Sequence, residues 1–136
     1  MTTLLTFAEE LHYKDDPSSI VIPTILVVGD NKVLVSAKID TGAEVCLFRY
    51  EAGAALGISV HDGIPKTLKT LAGSLEAYGH EVIIQTVELA FQSIVYFAKY
   101  PGLPRNILGR QGWLRNIRVA IVDYESTIYL SAYEES

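Results

Sequence analysis

The segment at residues 38–48, Lys-Ile-Asp-Thr-Gly-Ala-Glu-Val-Cys-Leu-Phe, constrains the fold of this chain more than any other part of it. The residues before Asp40 alternate in character, which predicts a β-strand with one core-facing side; its apolar positions are Val33, Val35, Ala37 and Ile39. The strand delivers Asp40 to its end, where Thr41 and Gly42 leave room for backbone donors around the carboxylate. Because a desolvated carboxylate is costly unless it is hydrogen-bonded, the pattern predicts a functional acid.

Two short motifs carry a resemblance to a known family. The Asp-Thr-Gly-Ala string at residues 40–43 resembles the active-site segment of aspartic proteases, especially the small retroviral-type enzymes called retropepsins. The Ile-Leu-Gly-Arg string at residues 107–110 resembles the apolar-apolar-Gly segment that packs beside that loop in the same family. The likeness runs from about residue 20 to residue 130. An alternative for the first motif is a helix capping box formed by Thr41 and Glu44.

The resemblance implies roles for individual residues. The catalytic group would be Asp40, Thr41 and Gly42. Substrate would contact Ala43, Val45 and a mobile flap, a β-hairpin tip formed by Ala72, Gly73 and Ser74. Structural support would come from Glu44, Ile107, Leu108, Gly109 and Arg110, with an ion pair between Glu44 and Arg110. Further pocket walls by family position would be Val45, Ile83, Leu103 and Pro104.

The chain contains one aspartate followed by Thr-Gly, whereas the family's chemistry needs two carboxyl groups. Peptide hydrolysis requires one group to take a proton from water and another to give one to the carbonyl oxygen. The resemblance therefore implies a homodimer in which each chain supplies one Asp40, and an isologous interface is the simplest arrangement. The expected partners are a second copy and a peptide or protein substrate, with no cofactor.

Composition narrows the class of protein. The 136 residues and the absence of a linker predict a single domain over 1–136, with residues 1–19 as a possible N-terminal extension, dimer strand or self-cleaved segment. A net charge of −5 without a basic cluster argues against a nucleic-acid partner. The three histidines lack ligand spacing, so no metal site is predicted. With no signal peptide or membrane span and a lone, buried Cys46, we expect a cytoplasmic protein.

The pattern of elements predicts an all-β fold. Short apolar strands separated by turns indicate an all-β barrel or sandwich with one or two short helices. The resemblance implies that this fold is the closed acid-protease barrel of the retropepsin type. A helix is predicted near residues 48–56 and a helical turn at 110–114, with Trp113 in the core. Extended structure is predicted at 58–60, and Gln92 and Ser93 are expected to separate two strands.

Two other functions fit the sequence. A chain could keep this fold and dimer while acting as a protein-binding or assembly module with little proteolysis. Alternatively, an unrelated ligand-binding β-barrel could use Asp40 merely as a cap.

Overall fold

The computed structural model describes residues 1–133. Within this range the chain forms ten strands: β1 (Glu9–His12), β2 (Val21–Val28), β3 (Asn31–Ile39), β4 (Leu47–Phe48), β5 (Ile64–Thr70), β6 (Gly73–Thr86), β7 (Leu89–Ala98), β8 (Asn106–Leu108), β9 (Ile117–Val122) and β10 (Thr127–Ala132). A short helix, α1, spans Tyr50–Ala55, and 3-10 turns span Val60–Asp62, Leu114–Asn116 and Asp123–Glu125. The acidic end at Glu134 and Glu135, which the sequence predicts to be solvated, lies outside the described residues.

Six strands close into a barrel. Their order is β2-β3-β8-β4-β7-β6, and β6 pairs again with β2 to complete the ring, while β5 extends from β6 as the outer strand of a hairpin. The β2–β3 hairpin turns at Gly29, whose φ of 59° is a left-handed conformation that glycine adopts at little cost. Because β8 pairs in parallel with β3, the chain after β8 runs alongside the chain after β3. The predicted closed all-β barrel with one short helix is confirmed.

A second, three-stranded antiparallel sheet has the order β1-β10-β9. Glu9 lies opposite Leu130, so the N-terminal strand pairs with the last strand of its own chain. β1 falls within residues 1–19, for which the sequence suggests an extension or a dimer strand.

The helical content of residues 1–133 includes no segment of the length and apolar character that a membrane crossing requires.

The core fills the barrel with apolar side chains from its inward-facing positions. Trp113, Phe48 and Phe97 are fully buried, and the rings of Phe48 and Phe97 lie 6.0 Å apart between centroids. The indole N–H of Trp113 donates to the hydroxyl of Thr86 at 3.4 Å, which satisfies its polar group inside the core. The prediction that Trp113 is a core residue is confirmed.

The predicted break at Gln92 and Ser93 is wrong. Both residues lie inside the continuous strand β7, and the reversal occurs earlier, at Val87 and Glu88, where Val87 has a φ of 53°. Ser93 is buried and its hydroxyl donates to the carbonyl of Gly112 at 2.8 Å. Serine is common in turns, which is why the sequence suggests a break here. The carbonyl of Gly112 satisfies its hydroxyl, so Ser93 can lie inside a strand.

Two other local predictions differ from the structure. Residues 58–60 were expected to be extended, but Val60 already begins the 3-10 turn Val60–Asp62. The helical turn expected at residues 110–114 is displaced to the 3-10 turn Leu114–Asn116. The reason is Gly112, whose φ of 102° cannot belong to a right-handed helix.

Cys46 provides a test of core packing near the barrel end. Its side chain is fully buried, and the N–H of Gly109 donates to its sulfur at 3.4 Å. Burial raises the pKa of the Cys46 thiol from 9.0 to about 12, against a smaller opposing effect of the Gly109 hydrogen bond. Since the thiolate is the reactive form, alkylation by iodoacetamide near pH 8 should be about a thousandfold slower in the folded than in the unfolded protein.

Mass spectrometry of samples alkylated with and without guanidinium chloride measures this ratio, and similar rates in both would show that the thiol is accessible.

The sign of the pH effect on stability follows from the raised pKa of the Cys46 thiol. Because folding favours the neutral thiol, its contribution is fully present below pH 9 and is lost as the pH rises toward 12.

Candidate active site

Asp40 directly follows the last residue of β3 and is half-buried. Its backbone N–H donates to the carbonyl of Leu108 at 3.0 Å, and its own carbonyl accepts from the N–H of Ala43 at 3.1 Å. The N–H of Gly42 donates to Asp40 Oδ1 at 2.9 Å, so one carboxylate oxygen is fixed by its own loop. Thr41 and Gly42 are exposed beside it. The acid therefore lies at the surface of the single chain, oriented by backbone groups.

Gly109 lies against this loop because of the strand register. Ile39 pairs in parallel with Leu108, so Asp40 and Gly109 are the next residues along neighbouring chains. A Cβ atom at position 109 would collide with the carbonyl oxygen of Val45 and lie 2.9 Å from that of Ala43. Glycine is required here by the close approach of two backbones.

Residues 109–111, which we call the clamp segment, hold the loop at residues 40–45, which we call the acid loop. They do so through backbone hydrogen bonds. The N–H of Arg110 donates to the carbonyl of Ala43, and the N–H of Gln111 donates to the carbonyl of Glu44, both at 2.9 Å. Val45 and Gln111 add an isolated parallel bridge. Of the residues the sequence assigns to support, Leu108, Gly109 and Arg110 contact the loop in this way, and Ile107 pairs with Lys38 one step earlier.

The predicted partner of Glu44 is wrong. Among the described residues, the Glu44 carboxylate forms its salt bridge with Lys66 of β5 at 3.1 Å and not with Arg110. The capping-box alternative is also wrong, because the nearest helix, α1, begins at Tyr50 with Arg49 as its N-cap. Glu44 therefore ties the acid loop to the base of the β5–β6 hairpin.

The Glu44–Lys66 pair should add little to global stability. Its side chains are 60% and 29% exposed, respectively, and exposed ion pairs contribute about 0–1 kcal/mol. We expect Lys66→Gln to lower the free energy of unfolding by less than about 1 kcal/mol, as measured by urea denaturation. Lys69→Gln, at an exposed lysine of the same strand, is the matched control. A loss in Lys66→Gln that exceeds the loss in the control by well over about 1 kcal/mol would contradict the expectation of a weak ion pair.

The predicted flap residues lie at the far end of the β5–β6 hairpin. Thr70 pairs with Gly73, so Leu71 and Ala72 form a two-residue loop whose leucine is fully exposed. The Thr70 hydroxyl donates to the carbonyl of Gly73 at 2.8 Å and accepts from the N–H of Ala72. Ser74 is exposed. The hydrogen bonds of this tip are thus local, and the hairpin meets the acid loop at its base, through Lys66.

A groove of about 580 Å³ separates this hairpin from the loop at residues 99–105. Ser74 and Leu75 line one side, and Leu103 and Pro104 line the other. The side chain of Arg49 donates from Nε to the carbonyl of Leu103 at 2.8 Å, which fixes the loop. The groove therefore lies between two walls of the same chain, next to the hairpin tip.

The other two residues predicted to line the substrate pocket, Val45 and Ile83, lie outside this groove. Val45 is buried, and Ile83 is 41% exposed on the outer face of β6, away from the groove. The sequence did not single out Lys66, which pairs with Glu44, or Tyr100, which lines the groove. Neither residue has a local signal, because each acquires its partner through tertiary packing.

The described part of the chain has no candidate metal site. Residues 1–133 contain no group of three or more His, Cys, Asp or Glu side chains placed to hold a metal ion.

The closed six-stranded barrel, with its acid loop set against the strand β8, is a retropepsin-like fold. The chain resembles a retropepsin-like aspartic protease from Rickettsia conorii, with a TM-score of 0.63 and 15% identity over 90% of this chain and 98% of that one. It also resembles EIAV protease in complex with an inhibitor, with a TM-score of 0.55 and 18% identity over 69% of this chain and 84% of that one. The sequence matches no protein-family model and no curated protein. At these identities the likeness establishes the fold, and the function must be argued from the site.

Proposed function

We propose that this protein is an aspartic endopeptidase that acts as a homodimer, with one Asp40 from each chain in the catalytic pair. The observation that carries the proposal is the setting of Asp40: one carboxylate oxygen is held by the N–H of Gly42 while the side chain stays half exposed. The Gly42 hydrogen bond is an Asx turn that orients the carboxylate, and its partial exposure leaves the group accessible to water or to a second carboxyl group. Within residues 1–133, the salt bridges do not include Asp40.

The proposed reaction uses the two carboxyl groups as one unit. Two carboxyls at hydrogen-bond distance share a proton, because both cannot ionise easily. The ionised Asp40 takes a proton from water as the water oxygen bonds to the carbonyl carbon of the peptide, and the protonated Asp40 gives its proton to the carbonyl oxygen. Collapse of the tetrahedral intermediate breaks the C–N bond, and the amine leaves with the proton taken from water.

Other residues have supporting roles in this proposal. Thr41 contacts its symmetry mate across the dimer axis, as the resemblance implies. Gly42 and Ala43 lie along the substrate backbone, and the hairpin tip, with Leu71 and Ala72 as its loop and Gly73 and Ser74 beside it, closes over the substrate. Closure of a hairpin over substrate excludes water and completes the site.

The first experiment is incubation of the purified protein with a diverse peptide mixture from acidic to neutral pH, with products identified by mass spectrometry. Wild-type protein should generate new termini that the Asp40→Asn variant does not generate. A wild-type dimer that cleaves nothing would favour the protein-binding module.

The second experiment tests whether two chains form one site. Inactive Asp40→Asn chains are mixed with an equal amount of wild type and allowed to exchange subunits. If each site needs both Asp40 residues, only the quarter of the dimers that are wild-type homodimers cleave, so the activity falls to about half of that of the same amount of wild type without the variant, whereas independent sites would leave it unchanged. Dilution of the wild type with an equal amount of albumin is the control for protein concentration.

A further inference from the structure

Beside the acid loop, the protein contains a cationic pocket that the proposed reaction does not use. It has a volume of about 200 Å³ and is lined by Gly42, Glu44, Arg110, Gln111 and Arg115. Gly42 belongs both to this pocket and to the Asp40 loop, so the pocket borders the candidate active site directly.

The chain turn after β8 brings the two arginines together. The N–H of Arg110 donates to the carbonyl of Ala43 at 2.9 Å, which seats Arg110 against the acid loop. The N–H of Arg115 donates to the carbonyl of Arg110 at 3.0 Å, so the turn brings the backbone of residue 115 next to that of residue 110. These bonds fix the backbone of both arginines next to the acid loop, and both side chains line the pocket.

The acidic residue of the pocket is engaged elsewhere. The Glu44 carboxylate lies 3.1 Å from Lys66 Nζ on β5. Within residues 1–133, the salt bridges include neither Arg110 nor Arg115. In a chain with a net charge of −5, two guanidinium groups without an acidic partner around one small pocket form a local excess of positive charge.

We propose that this pocket binds the carboxylate of an aspartate or glutamate side chain in the peptide substrate. Guanidinium groups bind carboxylates and phosphates through paired N–H donors, and of these two groups an unmodified peptide supplies the carboxylate. A peptide held at Asp40 passes Gly42, and a side chain a few residues from the cleaved bond reaches the two arginines. The inference rests on the proposed peptidase function, which it extends to a class of substrate.

The test compares matched peptides in which a single glutamate, moved through the positions around the cleaved bond, is replaced by glutamine. At the position that reaches the pocket, wild-type protein should cleave the glutamate peptide about tenfold better in kcat/KM, as expected for a hydrogen-bonded charge pair. In Arg115→Gln this ratio should fall to about one, while Arg105→Gln, at an exposed arginine outside the pocket, should keep the wild-type ratio. A ratio cancels any general loss of activity.

A binding measurement separates failure of this inference from failure of the proposed function. Calorimetric titration of the Asp40→Asn protein with the same peptides should show the glutamate preference without any cleavage. Equal binding or cleavage of both peptides at every position overturns the inference and leaves the peptidase proposal intact. A preference unchanged in Arg115→Gln, or loss of the dimer in that variant by sedimentation, also overturns it, because the arginines would then serve another contact.

Discussion

Replacement of Asp40 by asparagine is expected to lower peptide cleavage by about 100- to 10,000-fold, the range for loss of an acid–base catalyst. Asparagine has nearly the same shape, and its side-chain oxygen can still accept the Gly42 N–H that now binds Asp40 Oδ1 at 2.9 Å. The loop should therefore keep its geometry while losing the group that carries the proton. The measurement is kcat/KM on a peptide that the wild type cleaves.

Two controls make this result specific. Sedimentation velocity should show the same oligomeric state for Asp40→Asn as for the wild type, so that lost activity cannot be attributed to lost assembly. Asp30→Asn changes an exposed aspartate in the β2–β3 turn and should leave cleavage unchanged. Substantial activity in Asp40→Asn would rule out the two-carboxylate mechanism.

Replacement of Gly109 by alanine should destabilise the protein by about 3 kcal/mol, the upper part of the range for overpacking. The new methyl group would collide with the carbonyl oxygen of Val45 and approach that of Ala43 to 2.9 Å. Both contacts are with backbone, which cannot rotate away as a side chain does. Urea denaturation measures the loss, and cleavage should fall as well, because the acid loop must move.

Gly29→Ala is the matched control for this substitution. Its Cβ would meet no atom within 4 Å, but the φ of 59° is a conformation that alanine adopts at a cost of about 1 kcal/mol. The difference between the two variants isolates the steric clash at the clamp segment. Equal losses at both positions would show that the acid loop and the clamp segment are not tightly packed.

The pattern of strands and turns was sufficient to predict an all-β fold, and the resemblance of residues 40–43 and 107–110 to retropepsins supplied the closed barrel and the candidate site. The alternation from Val33 to Ile39 fixes β3 and places Asp40 at its end. Gly109 was singled out by the same resemblance, and the structure supplies the physical reason, which is its close contact with the backbone of Val45. Local pattern therefore predicted β3 and its end, whereas the neighbour of that end came from the resemblance.

Features that depend on distant partners were beyond the sequence. The Glu44 carboxylate could be paired with any nearby cation, and only the folded chain brings Lys66 of β5 to 3.1 Å from it. Ser93 is a residue type typical of turns, but the hydrogen bond from its hydroxyl to the carbonyl of Gly112 allows it to lie inside β7. In both cases tertiary contacts override the local preference.

The parallel pairing of β3 with β8 has a consequence for the order of events during synthesis. Ala37 pairs with Asn106 and Ile39 with Leu108, so the acid loop obtains its support from residues far along the chain. Closing so long a segment is entropically costly, and such contacts form slowly compared with local hairpins. A nascent chain that has emerged from the ribosome only as far as β7 contains Asp40 but lacks the clamp segment. We therefore expect the proposed peptidase activity to arise only after residue 111 has been synthesised.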